Sequence, residues 1–533
     1  MLVVENVSHG FGARTILENV SFRLRKGEHI ALVGANGEGK STFLNIITKK
    51  LMPDAGNIKW SSRATVGYLD QHSVLEKGNT IKDILRGAFK NMFELEQEML
   101  AMYDKMGEAN DEEMTKLLEE TAEIQTILEN SGFYTIDAKI QEVANGLGLG
   151  DIGLDRDVDD LSGGQRTKVL LTKLLLESPT ILILDEPTAV LTPQEIQELI
   201  QIIRNLTKEG KSVIIITHKL KEIKAAADHC TIIRRGKYID TVKVSDTTED
   251  ELAAMMVGRE VNFKVDKKEA RPTSNVLEIK DLLVKDSRKV SVVDGLSLEV
   301  KAGEILGIAG IDGNGQSELV EVLTGLRKAE SGSIKVNSKE LINKKPKEIF
   351  DNGIKNIPED RHKRGLILDF TVAENTVLQN YKDPRFSKNG ILNKDAIEKY
   401  ADEIIERFDV RPTDHTVKSR ALSGGNQQKI IIGREVDNIE TARKATGEPQ
   451  LLIATQPTRG LDVGAIEFVH QALVKQRDEG NAVLLVSLEL DEVMNVSDRI
   501  AVIYEGKIVG IVDAKDADEN TLGLMMAGGE DNE

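Results

Sequence analysis

The sequence holds one cysteine and eleven prolines in 533 residues. Cys230 therefore has no partner for an intramolecular disulfide, which suits a reducing compartment, and in Cys-Thr-Ile-Ile it reads as a small apolar strand residue. Neither Pro nor Gly dominates a long stretch, so low complexity and disorder are not the main theme. Long apolar runs are missing. Ile181 to Leu184 and Val213 to Ile216 fall far short of the roughly 20 residues that a membrane-spanning helix needs. Positive charge is in deficit, with 70 Lys and Arg against 88 Asp and Glu for a net charge of −18, and no basic block offsets it. Such a surface repels phosphate backbones, so direct DNA binding is not expected. The start, Met1-Leu-Val-Val-Glu-Asn, is strand-like and has no basic flank or cleavage site. A cytoplasmic protein is expected, its contact with the cell membrane peripheral and made through a partner. With 40% hydrophobic and 30% charged residues the chain is globular, and its length exceeds what one core supports.

The chain repeats itself. Thr15-Ile-Leu-Glu-Asn-Val-Ser matches Ser291-Val-Val-Asp-Gly-Leu-Ser, and the same offset aligns two glycine-rich loops. Farther on, Leu161-Ser-Gly-Gly-Gln recurs as Leu422-Ser-Gly-Gly-Asn, and Asp185-Glu-Pro-Thr as Thr455-Gln-Pro-Thr. A period this long is a duplicated domain rather than a solenoid repeat. The expected layout is a first domain over 1–245, a polar linker over 246–275 and a second domain over 276–530. In each copy short, nearly all-apolar β-branched runs alternate with helical patterns. This predicts α/β domains with mostly parallel sheet cores covered by helices.

Gly34-Ala-Asn-Gly-Glu-Gly-Lys40-Ser41 fits the P-loop pattern and lies between a predicted strand and a predicted helix. Its glycines let backbone N–H groups wrap phosphates at a helix N-terminus; Lys40 suits the β and γ phosphates and Ser41 suits Mg²⁺. Ile181-Leu-Ile-Leu ends in Asp185 and Glu186, a pair suited to completing the Mg²⁺ shell and polarising a water. His218 follows a third apolar strand, where parallel sheets place their ligands. In the second copy Gln316 stands for Lys40, Thr455 and Gln456 for the acidic pair, and Leu488 for His218. Glu359 stands for Gln71 and Ser287 for Phe11. That copy is expected to bind without hydrolysing.

These motifs, with Leu161-Ser-Gly-Gly-Gln between them, resemble those of ATP-binding cassette (ABC) ATPases, in both halves. The resemblance implies two tandem P-loop NTPase domains with helical subdomains, and ATP sandwiched head to tail between the P-loop of one domain and the five-residue signature of the other. It implies that Phe11, Gly34, Asn36, Gly37, Gly39, Lys40, Ser41 and Thr42 bind ATP together with Ser423, Gly424 and Gly425. Lys40, Gln71, Glu186 and His218 take catalytic roles, and Ser41, Gln71 and Asp185 bind Mg²⁺. A degenerate second site would join Gly310, Gly313, Gly315, Gln316 and Ser317 to Ser162, Gly163 and Gly164.

From about residue 187 onward, roughly two thirds of the chain, the sequence resembles the ATP-binding subunits of bacterial sugar and nucleoside importers. Ala189-Val-Leu-Thr-Pro-Gln, Ile357-Pro-Glu-Asp-Arg and Gln456-Pro-Thr-Arg-Gly-Leu-Asp-Val-Gly-Ala carry that likeness, and 438–449 reads as a surface insertion in it. Residues 1–186 resemble F-type ABC proteins, ATPases that act on ribosomes, through Gly67-Tyr-Leu-Asp-Gln and Gly132-Phe-Tyr-Thr-Ile-Asp. A helical hairpin is expected over about 90–132, with stripes Met92, Leu95, Met99, Met102, Met106 and Met114, Leu117, Thr121, Ile124, Leu128. Asn110 and Glu113 have the spacing of a capping box. The hairpin is acidic, which disfavours contact with RNA. The two likenesses meet near Asp185 to Gln194, as in a recombined gene or a sequence assembled from two. The expected function is ATP hydrolysis coupled to sugar or nucleoside import, with permease subunits and a solute-binding protein as partners; a ribosome-bound ATPase is the alternative.

Overall fold

The computed structural model describes residues 1–12, 14–34, 38–62, 64–69, 75, 78–107, 110–150, 152–161, 163–188, 193–217, 219–260, 265–286, 288–526 and 528. The chain divides into two units, 1–260 and 261–533.

The first unit opens with β1 (Leu2–Phe11), β2 (Arg14–Leu24) and β3 (His29–Val33), then α1 (Lys40–Ile47), β4 (Ala55–Trp60) and β5 (Val66–Leu69). A helical stretch follows: α2 (Ile81–Arg86), α3 (Lys90–Met106), α4 (Asp111–Asn130), α5 (Ile136–Gly146) and α6 (Gly163–Leu176). The chain then returns to the sheet with β6 (Ile181–Asp185), α7 (Pro193–Lys208), β7 (Ser212–Ile216), α8 (Leu220–Ala226), β8 (His229–Arg234), β9 (Lys237–Lys243) and α9 (Glu249–Val257). One nine-stranded sheet runs β4-β1-β2-β9-β8-β3-β7-β6-β5. Its centre, β8-β3-β7-β6-β5, is parallel throughout, and β3, β6 and β7 are buried along their whole length. Such strands carry no polar face, which is why their sequences read as unbroken Ile, Leu and Val.

The second unit holds β10 (Asn275–Lys285), β11 (Ser291–Lys301), β12 (Ile305–Ala309), α10 (Gln316–Leu323), β13 (Ser331–Val336), β14 (Lys339–Glu340), α11 (Pro346–Asp351) and β15 (Ile354–Ile357). Next come α12 (Val372–Thr376), β16 (Ser387–Lys388), β17 (Ile391–Leu392), α13 (Lys394–Arg407) and α14 (Gly424–Thr446). It closes with β18 (Leu451–Thr455), α15 (Val463–Asp478), β19 (Ala482–Val486), α16 (Leu490–Val496), β20 (Arg499–Tyr504), β21 (Lys507–Asp513) and α17 (Glu519–Met526). Its six-stranded sheet, β15-β18-β19-β12-β20-β21, repeats the order β5-β6-β7-β3-β8-β9 of the first unit.

The hairpin is present as α3 and α4. Asn110 Oδ1 accepts the N–H groups of Glu112 and Glu113, both at 3.1 Å, and the Asn110 N–H donates to Glu113 Oε2, completing the capping box. Met99, Thr121, Ile124 and Leu128 are buried, and Phe93 meets Phe133 edge to face at 5.2 Å, which ties the hairpin base to the helical subdomain.

Two boundaries differ from expectation. Part of the stretch assigned to the linker is folded: α9, capped by Thr248 and Glu251, buries Leu252, Ala253 and Met256 in the first unit. The motif Thr-x-x-Glu before an apolar run signals a helix start, and the polar residues around it conceal that signal. The stretch read as a surface insertion, 438–449, instead prolongs α14 through Thr446, with Asn438 and Ile439 buried. Neighbouring Asp437 accepts the Tyr400 hydroxyl at 2.8 Å, which holds the prolonged helix against α13. Among the described residues no helix is long and apolar enough to cross a membrane.

Candidate functional site

In the first unit three loops leave the same edge of the parallel sheet. β3, β7 and β6 are adjacent and parallel, so the glycine loop after β3, the turn after β7 and the acidic end of β6 emerge side by side. Neighbouring strands lie about 4.8 Å apart, so the outer two of these loops start about 10 Å from one another. That span is of the size of a triphosphate.

The glycine loop is shaped by close approach. Gly39 has φ 93°, and a Cβ there would sit 2.8 Å from Leu17 Cδ2, so a side chain is excluded both by backbone and by space. Lys40 opens α1 and is only 7% exposed. Its Nζ donates to the Gly34 carbonyl at 2.7 Å, tying the first turn of α1 back to the end of β3. Ser41 is exposed and Thr42 half-buried in the first turn of the helix. Phe11, at the end of β1, is 58% exposed, and its ring is met edge to face by His9 at 4.9 Å. An exposed aromatic fixed by a buried neighbour is a platform for a planar base.

Asp185 is buried at the end of β6, and Glu186 follows with φ 49°, its N–H donating to the Ile216 carbonyl at 3.0 Å. A positive φ on a non-glycine residue is costly, and it marks a sharp backbone turn at Glu186 as the chain leaves β6. Ser41 and Asp185 are hard oxygen donors from two of the adjacent loops, a set that suits Mg²⁺. Asn36, Gly37, Gln71, Ser162 and His218 lie outside the described residues, while Gly163 and Gly164 open α6.

The second unit keeps this backbone and changes its chemistry. Gly315 has φ 97°, and Gln456 has φ 47° with its N–H on the Val486 carbonyl at 2.7 Å, as Glu186 has on Ile216. Gly310 packs against the Gln316 amide, Gly313 has φ 89°, and Ser317 is exposed. Gln316 is buried like Lys40, but its Nε2 donates to the Ile311 carbonyl at 3.0 Å and brings no charge. Thr455 and Gln456 offer no carboxylate, and Leu488 no imidazole.

Its signature is intact. Ser423 caps α14, accepting from Asn426 Nδ2 at 2.9 Å, with Ser423 and Gly424 half-buried and Gly425 packed on Ala465. The sequence reading missed Arg361 and Arg459. The Arg361 guanidinium lies against Gly424 and donates to the Arg459 carbonyl at 3.2 Å, while Arg459 pairs with Glu359 at 2.6 Å. Ile357-Pro-Glu-Asp-Arg and Gln456-Pro-Thr-Arg-Gly carried these residues in plain view, but nothing in sequence spacing joins positions about a hundred apart.

A glycine loop at the carboxyl edge of a parallel sheet recurs in both units, and in the first it carries a lysine with a strand-end acidic pair beside it, the marks of a P-loop ATPase. A family model described as ABC transporter matches residues 17–189 and 293–441, one stretch in each unit. The nucleoside import ATP-binding protein NupA of Lactococcus lactis subsp. cremoris is 46% identical over 99% of this chain and 98% of its own length. The guanosine import ATP-binding protein NupO of Bacillus subtilis is also 46% identical, over 99% of this chain and 97% of its own. The crystal structure of archaeal ribosome recycling factor aABCE1 with ribosomal stalk protein aP1 aligns with TM-score 0.63 at 19% identity, covering 98% of this chain and 92% of that one, a likeness of fold alone. The chain belongs to the ABC transporter family and is an ABC-type ATPase with two cassettes. Likeness to the import proteins runs through the first unit as well, and is not confined to the part after residue 187.

Proposed function

We propose that this chain is the ATP-hydrolysing subunit of an importer for nucleosides or sugars, working with membrane permease subunits and a solute-binding protein from the cytoplasmic face of the membrane. The observation that carries this reading is the end-to-end likeness to two nucleoside import ATP-binding proteins. In this reading Phe11 stacks on adenine and the 34–39 loop and Lys40 hold the phosphates; Glu186 accepts a proton from the attacking water as its oxygen bonds to the γ phosphorus, the bond from that phosphorus to the β,γ-bridging oxygen breaks, and ADP leaves with phosphate released. Gln71 and His218 orient the water and the γ phosphate. Mg²⁺ held by Ser41, Asp185 and Gln71 offsets the phosphate charge when bound. Ser423, Gly424 and Gly425 complete this site by head-to-tail closure. Gly310, Gly313, Gly315, Gln316 and Ser317, with Ser162, Gly163 and Gly164, form a site that binds without turnover.

A second reading is favoured by the hairpin of α3 and α4, which belongs to the resemblance of residues up to about 186 to F-type ABC proteins: the chain would then act on ribosomes. The acidic face of the hairpin opposes it. The deciding experiment is affinity capture of the tagged Glu186→Gln chain from its own cells under ATP. Recovery with membrane permease subunits supports import, whereas pelleting with ribosomes that depends on the hairpin overturns it.

A further inference from the structure

Glu222 belongs to none of the motifs above, yet it is only 5% exposed on α8. Its Oε2 accepts the hydroxyl of Thr217 at 2.7 Å and that of Thr188 at 2.9 Å. Thr217 immediately precedes His218, and Thr188 stands two residues after Glu186. One carboxylate oxygen therefore gathers the loops leaving β7 and β6, the loops that carry two of the candidate catalytic residues. The Thr217 hydroxyl also accepts the Lys219 N–H at 3.1 Å, which fixes its rotamer. Charge-assisted hydrogen bonds in buried surroundings hold geometry firmly.

The second unit supplies the contrast. Glu492 occupies the same place on α16 and is equally buried at 5%. It turns the other way, with Oε1 3.0 Å from His470 Nε2 on α15, and Oε2 has no hydrogen-bond partner among the described residues. Thr458 and Ser487 stand where Thr188 and Thr217 do, so hydroxyls are available there too. What differs is the helix opposite: the counterpart of His470 on α7 is Ile200, which is apolar and buried. The unit with Glu186 and His218 keeps its carboxylate on the two loops; the unit with Gln456 and Leu488 diverts it to a helix.

We propose that Glu222 is a positioning residue for ATP hydrolysis, a brace that fixes the Glu186 and His218 loops against each other through Thr188 and Thr217. The proposal rests on the reading of Glu186 and His218 as hydrolytic residues. A displacement of about 1 Å in such a group costs about a hundredfold in rate, while nucleotide binding depends mainly on the 34–42 loop and is spared.

The test measures kcat, KM and equilibrium ATP binding on the full chain. Glu222→Ala is expected to lower kcat by about 10- to 100-fold with KM and ATP affinity changed less than about threefold. Both hydroxyls converge on one oxygen, so Glu222→Gln, which keeps an acceptor there, should recover much of the loss. Thr217→Val should lower kcat and Thr217→Ser restore it. Ile200→His should also lower kcat, by drawing Glu222 away as His470 draws Glu492. A Glu222→Ala chain with native kcat, or one whose ATP affinity falls as far as its kcat, overturns the brace; if Glu222→Ala does not fold, the Thr217 pair decides by the same criteria. If Glu186→Gln itself retains native turnover, the underlying reading fails instead.

Discussion

Replacing Arg434 with methionine removes the charge that neutralises the most deeply buried carboxylate of the second unit. Arg434 is 1% exposed and Glu435 0%, both on the signature helix α14. The guanidinium donates to Glu435 Oε1 at 3.0 Å and to the carbonyls of Gly365 at 3.0 Å and Asn375 at 3.2 Å. Burial pushes the Glu435 carboxyl above its ordinary 4.5 even with Arg434 and Lys355 opposing that rise. Burial likewise draws the Lys355 amine down to about 8. Methionine fills much of the same volume, so the loss is chiefly of charge pairing and hydrogen bonds. Removing one partner of a buried pair costs about 3–5 kcal/mol. For a unit of this size each kcal/mol moves Tm by about 2–4 °C, so a fall of about 6–20 °C is expected. The pH dependence has a definite sign. Folded Glu435 holds its proton to higher pH than the unfolded chain does, so stability is lost as pH rises from 4.5 through the raised folded value. Loss of Arg434 raises that folded value further, so the deficit should be smaller at the acidic end of the pH range in which the chain stays folded and grow toward the alkaline end. Scanning calorimetry of the full chain across this range measures it. A deficit below about 1 kcal/mol, or one that shrinks as pH rises, refutes the reasoning.

Three further outcomes are expected. Ser423→Arg should stop hydrolysis far more than Ser162→Arg under the proposed pairing of the second unit's signature with the first unit's P-loop; the opposite order in steady-state turnover contradicts that pairing. Gln316→Lys should tighten ATP binding at the second site without adding turnover, because Thr455 and Gln456 still provide no carboxylate, and new hydrolysis in a Glu186→Gln background would show otherwise. Replacing 92–130 by a short Gly-Ser turn should leave basal ATPase activity within a few-fold, since no site residue lies in the hairpin; collapse of activity would mean that the hairpin supports the site.

The duplicated α/β fold was legible because the parallel core strands are apolar on both faces and end in chemically distinctive loops. The glycine loop, the acidic strand end and the hairpin with its Asn110 and Glu113 cap could all be placed from local spacing. What escaped was of two kinds. The helix Glu249–Val257 and the prolonged signature helix lie in polar sequence whose few buried positions, such as Leu252 and Ile439, show only when a partner surface is present. Glu222, Arg361, Arg459 and Arg434 act through contacts between segments far apart in sequence, and no local pattern announces such a contact. Their roles are set by the sheet order, which brings together loops that the sequence keeps far apart.

Turnover of the Glu186→Gln chain decides the claim that only one of the two cassettes hydrolyses ATP. With equilibrium ATP binding measured on the same preparation, steady-state phosphate release should fall by at least about a hundredfold while ATP binding stays native. Retention of about half the native turnover, as two equivalent sites would give, would contradict the claim.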